Sequence, residues 1–110
     1  MKKLLLLLIL FTTFISNSQK IYSVNSQFDA EIKVYVVDSQ FDADLLVFTV
    51  NSEFDAGSNN GKWFFVDSQY KAEKKIFFVD SQYQADLKIY FVSSQYKAGW
   101  EESSKKHLLY

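Results

Sequence analysis

The chain has 110 residues, in which 12 lysines and no arginine stand against 13 acidic residues for a net charge of −1, with no cysteine and no proline. No basic stripe is present to follow a phosphate backbone, which excludes nucleic acid as a partner. Without cysteine there is neither a disulfide framework nor a lipoprotein anchor, so durability has to come from core and topology.

Lys2 and Lys3 form a basic start, Leu4 to Ile15 an apolar run too short for a comfortable membrane span, and Ser16, Asn17 and Ser18 a small polar stretch. This is the pattern of an exported chain's signal peptide over residues 1–18, cleaved near Ser18, with secretion or a periplasmic location and no membrane anchor afterwards. The remaining chain, about 92 residues, is one domain's worth, in which burial is marginal. It keeps 10 lysines against 13 acidic residues, a net charge of −3.

From Ile21 onward the chain repeats a 13-residue unit. Aligned on the serine of a [DN]-S-Q-[FY] turn, the copies fall at Ser26, Ser39, Ser52, Ser68, Ser81 and Ser94. A unit this short cannot bury its own apolar side chains and has to stack on its neighbours. Within a unit the apolar period is two. Ala85, Leu87, Ile89 and Phe91 point to one side and Asp86, Lys88, Tyr90 and Val92 to the other, which reads as a strand that begins half exposed and ends buried on both faces. Ile, Val, Phe and Tyr suit a pleated surface, so the fold class is all-β: six 13-residue repeats in two halves.

The halves are divided by an insert in the third unit, Gly57-Ser58-Asn59-Asn60-Gly61, whose glycines and asparagines tolerate positive φ. At the third position of each unit the first half has Ser23, Val36 and Thr49 and the second has Phe65, Phe78 and Phe91. Small residues therefore face large ones if the halves pack together. An alanine follows each turn aromatic by two residues (Ala30, Ala43, Ala56, Ala72, Ala85, Ala98) and reads as a packing position where another backbone passes close. The domain is expected over 19–102. Residues 103–110 carry no repeat pattern and read as a frayed or loosely docked tail.

The serial VDSQY and VDSQF units, the crossover AGSNNGKWFFVDSQY at Ala56 to Tyr70 and the closing SQYKAGW at Ser94 to Trp100 resemble the septoil knot domain family of bacterial secreted proteins. The likeness runs from about Lys20 to Glu101, with Asn25, Asn51 and Ser93 in place of the turn Asp and Glu53 in place of its Gln. The resemblance implies a deeply knotted single domain, a seven-crossing torus knot, and no particular activity. The residues alone argue against a knot, because threaded chains are nearly absent from folds. The repeats nevertheless offer a route: a hairpin at Gly57 to Gly61 would fold the chain on itself, and the two halves would wind about each other as a double-stranded coil.

Among chemical candidates, Asp38, Asp67, Asp80, Asn25 and Asn51 read as turn closers that bond local backbone N–H groups, with a calcium ladder as the competing reading, disfavoured because the repeated turns lack glycine. Asp29, Asp42, Asp44, Asp55, Glu73 and Asp86 alternate with Lys33, Lys71, Lys88 and Lys97, which reads as cross-strand charge pairing; a pattern reiterated six times argues against a catalytic carboxylate pair. The turn aromatics Phe28, Phe41, Phe54, Tyr70, Tyr83 and Tyr96 read as core, with a platform for sugar rings or a partner protein as the alternative. Trp63 and Trp100 are expected to close the two halves, and His107 lies outside any constellation. No catalytic, cofactor or metal residue is assigned, and no cofactor is expected. The expectation is a non-enzymatic secreted scaffold with a kinetically stable β core, the alternative being an extracellular module that binds carbohydrate or protein through a Tyr-bearing, acidic face.

Overall fold

The computed structural model describes residues 18–110; the segment read as a signal peptide, but for Ser18, lies outside the described residues. Six strands alternate with single turns of 3-10 helix: β1 (Lys20–Ser23), η1 (Gln27–Asp29), β2 (Ile32–Val36), η2 (Gln40–Asp42), β3 (Leu45–Thr49), η3 (Glu53–Asp55), β4 (Lys62–Phe65), η4 (Gln69–Lys71), β5 (Lys74–Phe78), η5 (Gln82–Gln84), β6 (Leu87–Phe91) and η6 (Gln95–Lys97). A two-residue strand β7 (Gly99–Trp100) and a longer 3-10 segment η7 (Ser103–Leu109) end the chain. The fold is all-β.

The strands lie in the order β4-β1-β5-β2-β6-β3, and β3 pairs in turn with β4, so the sheet closes into a six-stranded barrel without free edges. Every pairing within the barrel is parallel; β7 alone adds antiparallel, on β3. Strands of the first half (β1, β2, β3) alternate around the barrel with strands of the second (β4, β5, β6), so the halves interleave strand by strand.

Parallel neighbours ordinarily need a crossover of a dozen or more residues. Here eight residues, 24–31, join β1 to β2. The steep stagger of the strands makes this sufficient. Ser23 at the end of β1 and Ile32 at the start of β2 are both partners of Ile76 in β5, one from each side. The chain leaves one strand and enters the next at the same height, two strand spacings or about 9.6 Å apart, and has only to step over the strand between. Val36 and Leu45 flank Ile89 in the same manner.

The step is hydrogen-bonded on both sides of the strand it crosses. Around η1, Val24 N–H donates to Ile76 O and Glu31 N–H to Lys75 O; around η2, Val37 donates to Ile89 and Asp44 to Lys88; around η5, Val79 donates to Val34 and Asp86 to Lys33. Each loop thus straddles a strand of the other half. The exception is η3, where Val50 N–H donates to Trp63 O and Gly57 N–H to Lys62 O. That loop straddles β4, its own continuation. The insert turns the chain back beneath its own loop at two positive-φ residues, Asn59 (φ 65°) and Gly61 (φ 90°). A Cβ on Gly61 would collide with the carbonyl oxygen of Leu46 and lie 2.8 Å from the Gly99 nitrogen, so only glycine fits. The insert is therefore no β-hairpin, since β3 and β4 run parallel.

The first apolar residue of every unit (Ile21, Val34, Val47, Trp63, Ile76, Ile89) is completely buried inside the barrel, joined by Ile32, Leu45 and Leu87. Burying each such aliphatic side chain stabilises the fold by roughly 1.5–3 kcal/mol. Strand burial runs opposite to the expectation: Leu87 and Ile89 are buried and Phe91 is 39% exposed. The interior accommodates the first two inward positions of a strand, and the third emerges toward the barrel mouth. The small and large third-position residues also do not face one another. Ser23, Val36 and Thr49 partner Ile76, Ile89 and Trp63, while Phe65, Phe78 and Phe91 partner Ile21, Val34 and Val47. Complementarity runs between third and first positions because of the stagger.

The last residues are not frayed. Leu109 is 1% exposed and belongs to the barrel core. Gln19 Nε2 donates to Leu109 O (3.2 Å), Asn59 Nδ2 to Lys106 O (2.9 Å), and Lys105 Nζ reaches Asp44 Oδ2 at 3.2 Å. Barrel closure leaves an open end that the repeats cannot fill, and this segment fills it.

Candidate functional site

Each loop is built alike. The serine hydroxyl accepts from the backbone N–H of the aromatic two residues on (Ser39 Oγ from Phe41 N, 3.2 Å; Ser81 Oγ from Tyr83 N, 3.3 Å), and the alanine N–H donates to the carbonyl that opens the turn. Serine is the N-cap in all six loops. The turn closer is therefore Ser and not the Asp or Asn before it. Asp38, Asp67, Asp80, Asn25 and Asn51 are left exposed, and Asp67 receives Lys71 Nζ at 3.3 Å.

The six loop aromatics are not core. Phe28, Phe41, Phe54, Tyr70, Tyr83 and Tyr96 are each 89–91% exposed, because each loop passes outside the strand it crosses and its middle residue points away from the barrel. Around the barrel, the loops alternate between the halves, so phenylalanine and tyrosine alternate too. Scattered apolar residues at a surface are ordinary; one large ring on every loop is not.

The acidic residues fall into two sets that the sequence merges. Asp44, Asp86 and Glu31 turn back on the crossed strand: Asp44 Oδ2 accepts from Lys88 N (2.9 Å), Asp86 Oδ2 from Lys33 N (2.9 Å) and Glu31 Oε1 from Lys75 N (3.1 Å). Their main partner is backbone rather than a lysine side chain, although Glu31 also pairs with Lys74 and Asp44 with Lys105. Asp29, Asp42 and Asp55 instead sit in the 3-10 turns and are exposed. Glu73 N–H donates to Lys20 O, the same crossing made by backbone alone.

Between neighbouring loops of opposite halves open two clefts of about 360 and about 350 Å³. The first is lined by Tyr35, Asp38 and Asp42 together with Asp80, Gln82 and Tyr83; the second by Tyr22, Asn25 and Asp29 together with Asp67, Gln69 and Tyr70. Residue for residue, the two sets differ by one 13-residue period.

A barrel whose halves alternate strand by strand, with loops that straddle the opposing half, accounts for the repeat, the central insert and the closing Ala-Gly-Trp together. The family model of the 7(1) septoil knot domain matches residues 18–101. The chain belongs to that family. No curated protein and no solved structure matches it. The match ends at residue 101, before η7, so the core residue Leu109 lies outside the matched region.

Of the remaining residues singled out by sequence, Trp63 lies wholly inside the barrel, edge-on to Phe65 at 6.0 Å, and Trp100 donates from Nε1 to Asn59 O (3.0 Å), tying the domain's last strand to the insert. His107 is exposed, its Nδ1 3.0 Å from Ser104 O. Among the described residues, no group of three or more His, Cys, Asp or Glu is placed to hold a metal ion. Sequence reasoning missed the roles of Gln19, Asn59 and Leu109, which tie η7 to the residue before β1 and to the insert; none of them sits in a repeated column.

Proposed function

We propose that this protein is an exported, non-enzymatic binding scaffold: a knotted, slowly unfolding β barrel that holds aromatic-tipped loops toward a carbohydrate or protein partner. The observation that carries the reading is the exposure of all six loop aromatics on turns locked by serine caps. The caps fix the backbone that carries each ring, and an aromatic side chain has only two torsions left to order on binding, so the entropy lost is small. The alternating strand order and straddling loops support a seven-crossing torus knot, in which unfolding requires a chain end to be withdrawn through several loops. Such a core has slow unfolding independent of its equilibrium stability. The basic start and apolar run before Ser18 support export.

The test compares the exported chain with a variant in which the six loop aromatics are serine, on immobilised glycans and on proteins of the cell surface. Because those rings are exposed, the variant is expected to fold with unchanged Tm and to lose binding. Equal behaviour of the two across both panels would rule the reading out.

A further inference from the structure

Two clefts one period apart, lined alike except that Asn25 stands in the second where Asp38 stands in the first, are a repeated receptor, and a repeated receptor suits a ligand with a repeating chemical unit. Each cleft has one ring on a strand (Tyr35 or Tyr22) and one on a loop tip (Tyr83 or Tyr70), an amide (Gln82 or Gln69) and carboxylates: three in the first, two in the second. Among the described residues neither lining includes a lysine, although Lys71 Nζ reaches Asp67 of the second cleft at 3.3 Å, so one of that cleft's two carboxylates is already paired. In the first cleft, Asp38, Asp42 and Asp80 are all exposed and Tyr83 is 90% exposed, so rings and carboxylates are open to solvent together.

Flat rings stack on the apolar C–H faces of a pyranose, and an amide with carboxylates accepts from its hydroxyls. Carboxylates, most strongly the three of the first cleft, repel phosphate, sulfate and uronate polymers and attract ammonium groups, which also favour tyrosine faces. Combining period, stacking and charge, we propose that the Tyr22–Tyr70 and Tyr35–Tyr83 clefts are successive subsites for a linear polysaccharide of amino sugars bearing free ammonium groups. The inference rests on the binding reading above and names its ligand. The corresponding third set (Phe48, Asn51, Asp55, Ser93, Gln95, Tyr96) keeps one carboxylate and has phenylalanine in place of the strand tyrosine, so it contributes least.

The experiment is calorimetric titration of the full chain with fully deacetylated chito-hexaose, cellohexaose and hexalysine at low and high salt. Chito-hexaose is expected to bind, and to weaken at high salt as exposed charge pairs do. Tyr83→Ala is expected to lower affinity about threefold to tenfold, and Asp38→Asn with Asp80→Asn about tenfold or more, whereas Glu101→Gln, outside both clefts, leaves it unchanged. Equal binding of cellohexaose would overturn the ammonium assignment. Hexalysine binding as tightly, with the same dependence on Tyr83, would overturn the saccharide. Chito-hexaose binding unaffected by the cleft variants but lost in the six-serine variant would overturn the subsites and leave the aromatic face standing; no binding by the native chain to any of the three, while glycans or proteins of the wider panels still depend on the aromatics, would overturn the ligand alone.

Discussion

Leu109→Ala removes the side chain that plugs the barrel. Leu109 is 1% exposed and packs with the core residues of both halves. Truncating a buried leucine to alanine costs about 2–5 kcal/mol, the range reflecting how far the surroundings collapse into the space left. Two features place this site in the lower half. The segment that carries the leucine is tied to the rest of the fold through side chains, those of Gln19, Asn59 and Lys105, so it can settle, and the barrel mouth is reachable by water once the plug shrinks. The barrel wall around it, hydrogen-bonded strand to strand, cannot close in. A loss of about 2–3 kcal/mol follows, which for a domain of this size corresponds to a fall in Tm of roughly 10–20 °C. The backbone carbonyl of Leu109 that accepts from Gln19 Nε2 stays in place, so the substitution isolates the apolar contribution. The assay is chemical denaturation, with samples incubated until unfolding and refolding curves coincide. A loss below about 0.5 kcal/mol, the range of an ordinary surface substitution, would refute the docked plug and return the tail to a loosely held segment.

Gly61→Ala is expected to cost about 3 kcal/mol or more, because φ of 90° strains any L side chain and the new methyl meets the Leu46 carbonyl; thermal unfolding reads it, and a native-like Tm would refute the close approach of insert and β3. Ser39→Ala removes the cap of η2 and is expected to cost about 0.5–2 kcal/mol, with faster hydrogen exchange at the Phe41 amide; exchange at the native rate would show that the hydroxyl does not hold the turn. Trp63→Phe loses ring volume but also removes a buried indole N–H that has no hydrogen-bond partner among the described residues, so the two effects offset to within about 1–2 kcal/mol; a loss comparable to Trp63→Ala, about 3–5 kcal/mol, would mean the indole N–H is satisfied.

Much of this architecture was legible along the chain. Alternation within Leu87, Lys88, Ile89 and Tyr90 identified the strand and its inward face, since side chains in a strand must alternate sides. The recurring [DN]-S-Q-[FY] motif marked the turns, but the side chain that reaches the backbone amide two residues on is that of Ser26 and its equivalents, not that of the Asp or Asn before it. The insert's glycines and asparagines marked the boundary between halves, where Asn59 and Gly61 take positive φ, but not its shape, since the chain enters a parallel strand there and not a hairpin. The loop aromatics were misjudged for a physical reason. Hydrophobicity states what burial would gain, not whether any neighbour covers the position, and the loops lie outside the strands they cross.

The acids show the same division. Asp44 and Asp42 look alike in the chain, yet Asp44 bonds the Lys88 backbone of the crossed strand and Asp42 faces a cleft. What the amino-acid order determined is local: strands of period two, turns that recur with a 13-residue unit lengthened once by the insert, and a break in the middle. Tertiary structure decided the parallel partners, the interleaving of the halves, the docking of Leu109 and the outward reach of six rings. Those depend on which distant segments meet, and repeated units, being nearly equivalent in their local preferences, carry little information with which to choose among such meetings; closure of the whole barrel makes the choice.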